Sequence, residues 1–106
     1  MDDQAIINTQ NLEFHRAIAT RLLTEPEWID RATVVVRNWQ AAGMGPLADL
    51  WAGLLQGPST QIVRTLTADV DERAAWLRSA SPFLQMGALP QAERLAIIRR
   101  VRAKAA

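Results

Sequence analysis

The sequence predicts an all-α fold, in which residues 1–106 form one domain built as a compact bundle of five or six short helices. Apolar residues recur at intervals of three and four along most of the chain, which is the spacing of one buried helix face. Glycine and proline interrupt this pattern and divide it into separate helices. Alanine, the strongest helix former, occupies 18 of the 106 positions. No alternation of apolar and polar residues is long enough to predict a sheet.

The first helix is predicted from about Thr9 to Leu23, after a polar segment, residues 1–8, that we expect to fray. Its inward face comprises Leu12, His15, Ile18, Ala19 and Leu22. Thr24 and Glu27 have the spacing of a capping box, which predicts a second helix over Pro26–Ala42. The apolar stripe of this helix comprises Trp28, Ile29, Ala32, Val35, Val36 and Trp39.

The third helix is predicted over Pro46–Gln56, because Gly43 and Gly45 supply an open backbone before it. Its apolar residues follow the pattern of one buried face: Leu47, Leu50, Trp51, Leu54 and Leu55. Gly57 is the expected C-cap, and Pro58 prevents the helix from continuing.

Ser59 is expected to cap a short fourth helix, with Ile62, Val63 and Leu66 facing inward. Asp69 and Glu72 repeat the capping-box spacing and predict a fifth helix. Its inward residues are Val70, Ala74 and Leu77. Trp76 lies beside this face, so we expect its side chain to be only half covered.

The fifth helix is predicted to end at Ser81-Pro82, because the residue before a proline resists helical geometry. An apolar plug in a loop follows, formed by Phe83, Leu84 and Met86. Pro90 opens the last helix, whose inward residues are Leu95, Ile98 and Val101.

The composition offers little for catalysis or metal binding. The chain has no cysteine, which excludes disulfides, thiol catalysis and cysteine-ligated metals. Its single histidine, His15, is expected on the inner face of the first helix, and no spacing places a nucleophile and an orienting group beside it. The acidic run Asp69–Glu72 lacks the glycine and distal glutamate of a calcium loop. We therefore expect no enzymatic activity, no catalytic residue, no cofactor and no metal.

Charge and hydropathy limit the environments in which the chain works. The net charge of +1 argues against a strongly basic nucleic-acid coat and against an acidic disordered tail. The chain begins Met1-Asp2-Asp3, without the basic and apolar regions of a secretory signal. Its longest uncharged stretches are interrupted by glycine and proline and are too short to cross a bilayer. We therefore expect a cytoplasmic protein with no membrane contact.

Tryptophan and arginine point instead to a protein partner. The chain has 4 tryptophans in 106 residues, which either all fill the core or include one or two, Trp76 or Trp28, in a partner-binding groove. After Glu93 the chain has no acidic residue and five basic ones, which either complement the dipole of the last helix or contact an acidic partner or a phosphate backbone. The expected partner-binding residues are Trp28, Trp76, Phe83, Arg94, Arg99, Arg100 and Arg102. An exposed tryptophan stripe could also meet its copy across a two-fold axis, so a homodimer stays open.

The corner at Gly57-Pro58 supports an alternative hypothesis, in which two short helices around a glycine turn resemble a DNA-binding helix-turn-helix. The second helix would offer four residues to bases or phosphates: Ser59, Thr60, Gln61 and Arg64. The proline in the turn is unusual for this motif, and its glycine spacing is off by about one residue.

Four segments of the chain carry a family resemblance. They are Leu12-Glu13-Phe14-His15-Arg16-Ala17-Ile18-Ala19, Trp51-Ala52-Gly53-Leu54-Leu55-Gln56-Gly57-Pro58, Leu77-Arg78-Ser79-Ala80-Ser81-Pro82-Phe83 and Glu93-Arg94. Across roughly residues 12–100 the chain resembles small bacterial all-helical proteins with W-x-x-L-L-x-x-P and L-R-x-x-S-P-F stretches, some of which look like antitoxins. The resemblance implies binding to a partner, for example a toxin whose active surface is covered. It assigns a role to no individual residue.

Overall fold

The computed structural model describes residues 2–105, which form seven helical segments and, within that range, no strand. The segments are α1 (Asp3–Leu22), α2 (Glu27–Ala41), α3 (Pro46–Gln56), α4 (Ser59–Thr67), α5 (Glu72–Ser79), α6 (Pro82–Gln85) and α7 (Gln91–Ala105). Because α6 is a single four-residue turn, six longer helices build the bundle, which confirms the predicted all-α architecture. No helix of the described part of the chain is both long and apolar enough to span a membrane.

Helix α1 is the centre of the bundle and packs against α4, α5 and α7, whereas α2 packs mainly against α3 and α6. Two ion pairs accompany the contact between α1 and α7. Arg21, near the end of α1, pairs with Glu93 in the first turn of α7. Farther along, the Nη2 atom of Arg100 lies 3.7 Å from a carboxylate oxygen of Glu13. The two helices therefore run antiparallel.

The core is centred on Trp51, whose indole is completely buried. Its ring meets the Phe83 ring edge to face, with centroids 6.2 Å apart and planes inclined by 74°. The indole Nε1 donates a hydrogen bond to the carbonyl oxygen of Leu77, 3.1 Å away. Trp51 thus joins α3 to α5 and α6, and its only polar atom is satisfied inside the core.

The start of α1 differs from the prediction. The helix begins at Asp3 rather than Thr9, so residues 3–8, expected to fray, are helical. Asp2 explains the earlier start, because its carboxylate accepts a hydrogen bond of 2.7 Å from the backbone N–H of Ala5. The sequence does not predict these turns, because the residues of this segment are mostly polar and show little helical periodicity.

The predicted capping boxes are wrong. Pro26 is the N-cap of α2, while the Thr24 hydroxyl donates backwards to the carbonyl oxygen of Arg21. Pro58 rather than Ser59 is the N-cap of α4. The cap of α5 is Asp71, whose carboxylate accepts a 3.0 Å hydrogen bond from the backbone N–H of Ala74.

The N-cap of α5 is Asp71, two residues after the predicted Asp69, so Val70 lies in the connection between α4 and α5 and not in the helix. Val70, predicted to face inward, precedes the helix and is fully exposed. On α7, Leu95 is also more exposed than predicted, and Ile97 takes the core position with Val101. The predicted glycine and proline boundaries of α3 are confirmed, and Gly43 and Gly45 have φ angles of 76° and 74°.

Candidate functional site

The four tryptophans have different environments. Trp51 lies in the core and Trp39 is partly buried. Trp28 is only 8% exposed, and Phe83 is completely buried beside Trp51. Neither Trp28 nor Phe83 therefore presents a side chain to a partner. Their expected place on a binding surface was wrong because a single sequence does not distinguish a core aromatic residue from an exposed one.

Trp76 is the exposed tryptophan, with a relative accessibility of 47% for the residue, as its place beside the inward face of the fifth helix predicts. Arg73 lies one turn earlier on the same side of α5 and is exposed. Within residues 2–105, Arg73 has no carboxylate oxygen within 4.0 Å. The outer face of α5 therefore carries an aromatic ring and a free guanidinium, the two groups that most often anchor protein interfaces.

A groove of about 400 Å³ lies beside this face, between α3, α4 and α5. Its walls include Leu50 and Leu54 of α3, Gln61 of α4, and Arg73 and Leu77 of α5. Arg73 thus belongs both to the outer face of α5 and to the groove. This arrangement gives a partner side chain a recess next to the exposed indole.

The arginines of α7 fall into two groups. The guanidinium of Arg94 lies 5.4 Å from the centre of the Phe14 ring, where a cation–π interaction holds it, and Arg100 pairs with Glu13. Arg99 and Arg102 are exposed, and in the described chain neither has a carboxylate oxygen within 4.0 Å. Arg99 and Arg102 follow Leu95 by four and seven positions, so these three residues lie on one outer face of α7.

Trp76 and this basic face belong to different helices, α5 and α7, which both pack against α1. The sequence combined them in one partner-binding set because it could not show which helices are neighbours. The structure leaves two separate candidate surfaces: the α5 face, defined by Arg73 and Trp76, and the α7 face, defined by Leu95, Arg99 and Arg102.

The residues of the DNA-binding alternative lie together on α4. Ser59, Thr60, Gln61 and Arg64 are all exposed. Gln61 shares the groove beside α5 with the carboxylate of Asp49. The same groove also carries Arg73, so it presents both a negative and a positive group to a phosphate backbone.

Among the described residues, the polar or charged ones that are buried are His15, Arg78 and Ser81. His15 is completely buried, as predicted, and its Nδ1 atom donates a hydrogen bond to the carbonyl oxygen of Asn11, 2.5 Å away. Only a protonated Nδ1 can bond to a carbonyl, so Nε2 is the acceptor, and it has no partner among the described residues. Burial lowers the pKa of His15 to about 4; the bond to Asn11 opposes this shift, and the charge of Arg78 adds to it.

Arg78 was not singled out from the sequence, although it is the most buried charged side chain of the described residues, with 2% of its surface exposed. Its Nη1 atom donates a 2.8 Å hydrogen bond to the carbonyl oxygen of Thr65, at the end of α4. Desolvation lowers the pKa of Arg78, while Asp71 and Asp69 partly offset the shift. The signal was present, because Ala74, Leu77 and Arg78 share one helix face.

The imidazole of His15 is enclosed, so a substrate in solution does not reach it. In the described chain no three acidic or histidine side chains are grouped as metal ligands. Comparisons with protein-family models, with curated proteins and with solved structures find no match to this chain.

Proposed function

We propose that this protein is a protein-interaction module that acts in the cytoplasm and binds its partner through the α5 face. The observation that carries the proposal is the exposure of Trp76, whose relative accessibility as a residue is 47%. Water contact with a large aromatic ring is unfavourable, and a partner that covers the ring recovers this free energy. The resemblance to antitoxin-like proteins suggests a toxin as the partner.

The mechanism is occlusion of a partner surface. Trp76 anchors the contact, Arg73 donates hydrogen bonds at its edge, and the adjoining groove receives a partner side chain. On the other side of α1, the unpaired guanidinium groups of Arg99 and Arg102 attract acidic groups and raise the association rate. The α5 face supplies affinity, and the α7 face supplies electrostatic steering.

The test begins with the tagged full-length chain in an extract of its native host. We expect one partner at stoichiometric yield, and the affinity of the purified pair is then measured by calorimetry. Trp76→Ala should weaken the binding by about tenfold or more, as the loss of a hot-spot side chain does. Val34→Ala is the matched control, because Val34 is an exposed apolar residue on α2, outside both faces.

Two results contradict the proposal. Either no stoichiometric partner is recovered, or Trp76→Ala and Val34→Ala bind the partner equally well. The antitoxin function has its own test, in which the product of the adjacent gene is expressed with and without this chain. Arrested growth that the wild-type chain relieves and Trp76→Ala fails to relieve supports it; a harmless gene product contradicts it.

A DNA-binding regulator is the second candidate function, favoured by the shared exposure of Ser59, Thr60, Gln61 and Arg64 on α4. It requires a complex with the DNA upstream of the chain's own gene that weakens steeply with added salt. Gln61→Ala with Arg64→Ala should abolish a specific gel shift, while Arg37→Ala on α2 should leave it unchanged. Absence of a salt-sensitive complex contradicts this function.

A further inference from the structure

A second cavity, of about 490 Å³, lies on the opposite side of α5 from the groove, between α5, the first turns of α1 and the α4–α5 connection. Its apolar wall includes Ala5 and Leu12 of α1 and Ala75 of α5. Its polar wall includes Asn8, the carboxylates of the connection and Arg78. None of these residues belongs to the α5 face or the α7 face, so this cavity is a separate feature.

Arg78 is the positive group of this cavity. It is almost completely buried, yet no carboxylate oxygen of residues 2–105 lies within 4.0 Å of its guanidinium. The Nη1 atom is bound to Thr65, but the enclosed Nε atom has no hydrogen-bond partner among the described residues. A buried guanidinium in this condition is unusual, since buried charges are ordinarily paired. The part of the guanidinium that lines the cavity therefore has no carboxylate partner among the described residues.

The rim of the cavity carries the opposite charge. Asp69, Asp71 and Glu72 line it and are all exposed, and none forms an ion pair of 4.0 Å or less within the described chain. One carboxylate oxygen of Asp71 caps α5. Asp69 and Glu72 form no ion pair with any of the described residues. These carboxylates repel a simple anion and attract an ammonium group.

We propose that this cavity binds a free α-amino acid. The ligand carboxylate would bind the Arg78 guanidinium in the cavity, and the ammonium group would lie among Asp69, Asp71 and Glu72 at the rim. An aliphatic side chain would pack on Ala5 and Leu12. A zwitterion complements both charges of the site. A ligand with only a negative charge is repelled by the acidic rim, and a ligand with only a positive charge is repelled by Arg78. This proposal goes beyond the proposed function and does not depend on it.

The test uses nuclear magnetic resonance on the isotope-labelled full-length chain, titrated separately with each protein amino acid to millimolar concentration. We expect one or a few of them to shift the backbone amides of residues 5–12 and 69–78 and to saturate. Two probes derived from the best ligand test each charge separately: the amine that lacks the carboxylate and the N-acetylated acid. Both should bind at least about tenfold more weakly, because each loses a charge-assisted contact.

The variant Asp69→Asn with Glu72→Gln removes the two free rim charges and retains the Asp71 cap, so we expect it to fold, which its amide spectrum without ligand checks. It should bind the amino acid about tenfold more weakly or worse. Asp30→Asn with Glu27→Gln removes two charges from the first turn of α2 and should bind like the wild type. Arg78→Lys should bind more weakly too, although this variant also removes the contact with Thr65.

Three results overturn the proposal. They are the absence of any saturable shift, equal binding of the amine without the carboxylate, and equal weakening by the rim and α2 variants. Because Trp76 does not line the cavity, Trp76→Ala should retain amino-acid binding. Failure of the amino-acid test would therefore leave the protein-interaction function intact, and the converse also holds.

Discussion

Arg78 on α5 donates a hydrogen bond to the carbonyl oxygen of Thr65, one of the last carbonyls of α4, across 2.8 Å. The final carbonyls of a helix have no partner within that helix, so this bond completes the end of α4. It also fixes the α4–α5 connection, because the two residues on either side of the connection are joined. A buried charge therefore has a structural role here, in addition to its position in the cavity.

We expect Arg78→Met to lower the free energy of unfolding by about 2 kcal/mol, the contribution of a hydrogen bond from a charged donor. Urea denaturation of the variant and the wild type measures this difference. Arg73→Met is the control, because Arg73 is exposed, and its effect should stay within about 0.5 kcal/mol. Equal stability of the two variants would show that the bond to Thr65 contributes nothing.

Stability should fall in mild acid because of His15. Its pKa is lowered from 6.5 to about 4 in the folded chain, so between these values the unfolded chain binds a proton that the folded chain does not. From pH 7 to pH 5 this difference should remove about 2 kcal/mol of stability, and the loss is complete below pH 4. Above about pH 8 the histidine should contribute no slope.

The measurement is urea denaturation at a series of pH values for the wild type and for His15→Gln, which lacks the titrating group. The variant should be less stable at pH 7 but should show a flatter profile between pH 7 and pH 5. Identical slopes in the two proteins would mean that the imidazole is protonated as readily in the folded chain as in the unfolded one.

Two glycines should respond to alanine in opposite directions. Gly53 lies inside α3, and a Cβ atom there would meet no atom within 4 Å. Gly53→Ala should therefore raise stability by about 0.5–1 kcal/mol. Gly45 has a φ angle of 74° and a ψ angle of −146°, a region that alanine avoids, so Gly45→Ala should destabilise by about 1–3 kcal/mol. Thermal unfolding of both variants decides the matter; effects of the same sign would be inconsistent with these backbone geometries.

Trp51 and Trp76 should also differ on substitution by phenylalanine. Trp51→Phe deprives the buried carbonyl of Leu77 of its donor and leaves a small void, which should cost about 1–3 kcal/mol. Trp76→Phe should change stability by at most about 0.5 kcal/mol, because the ring is half in water. Acrylamide should quench the fluorescence of Trp76 much more strongly than that of Trp51. Comparing Trp51→Phe and Trp76→Phe with the wild type identifies the fluorescence that each of these tryptophans contributes.

The sequence predicted the boundaries that depend on backbone chemistry. Pro58 ends α3 because proline has no backbone N–H to continue the helix and its ring forces the preceding residue, Gly57, out of helical geometry, so no knowledge of the fold was needed. The capping boxes failed because a side chain such as Thr24 has several nearby backbone groups to bind, and tertiary packing selects among them. The sequence therefore predicts helix boundaries that depend on the covalent structure of proline. It does not predict which of several possible local hydrogen bonds a capping side chain forms.

The candidate site was less predictable than the fold. The half exposure of Trp76 followed from helical period alone, and this expectation was confirmed. Phe83 was misplaced because a short apolar segment between two helices reads as a loop, although it inserts beside Trp51. The separation of the α5 and α7 faces depends on helix neighbours, which residue spacing within one helix cannot reveal.

Helix α1 precedes three of its main neighbours, α4, α5 and α7, in the chain. Arg21 and Glu93 are 72 positions apart, so their ion pair forms only after the start of α7 has been synthesised. A nascent chain on the ribosome therefore leaves part of the apolar side of α1 uncovered until α7 emerges, and a fragment ending before α7 is a candidate for aggregation rather than a smaller version of the bundle.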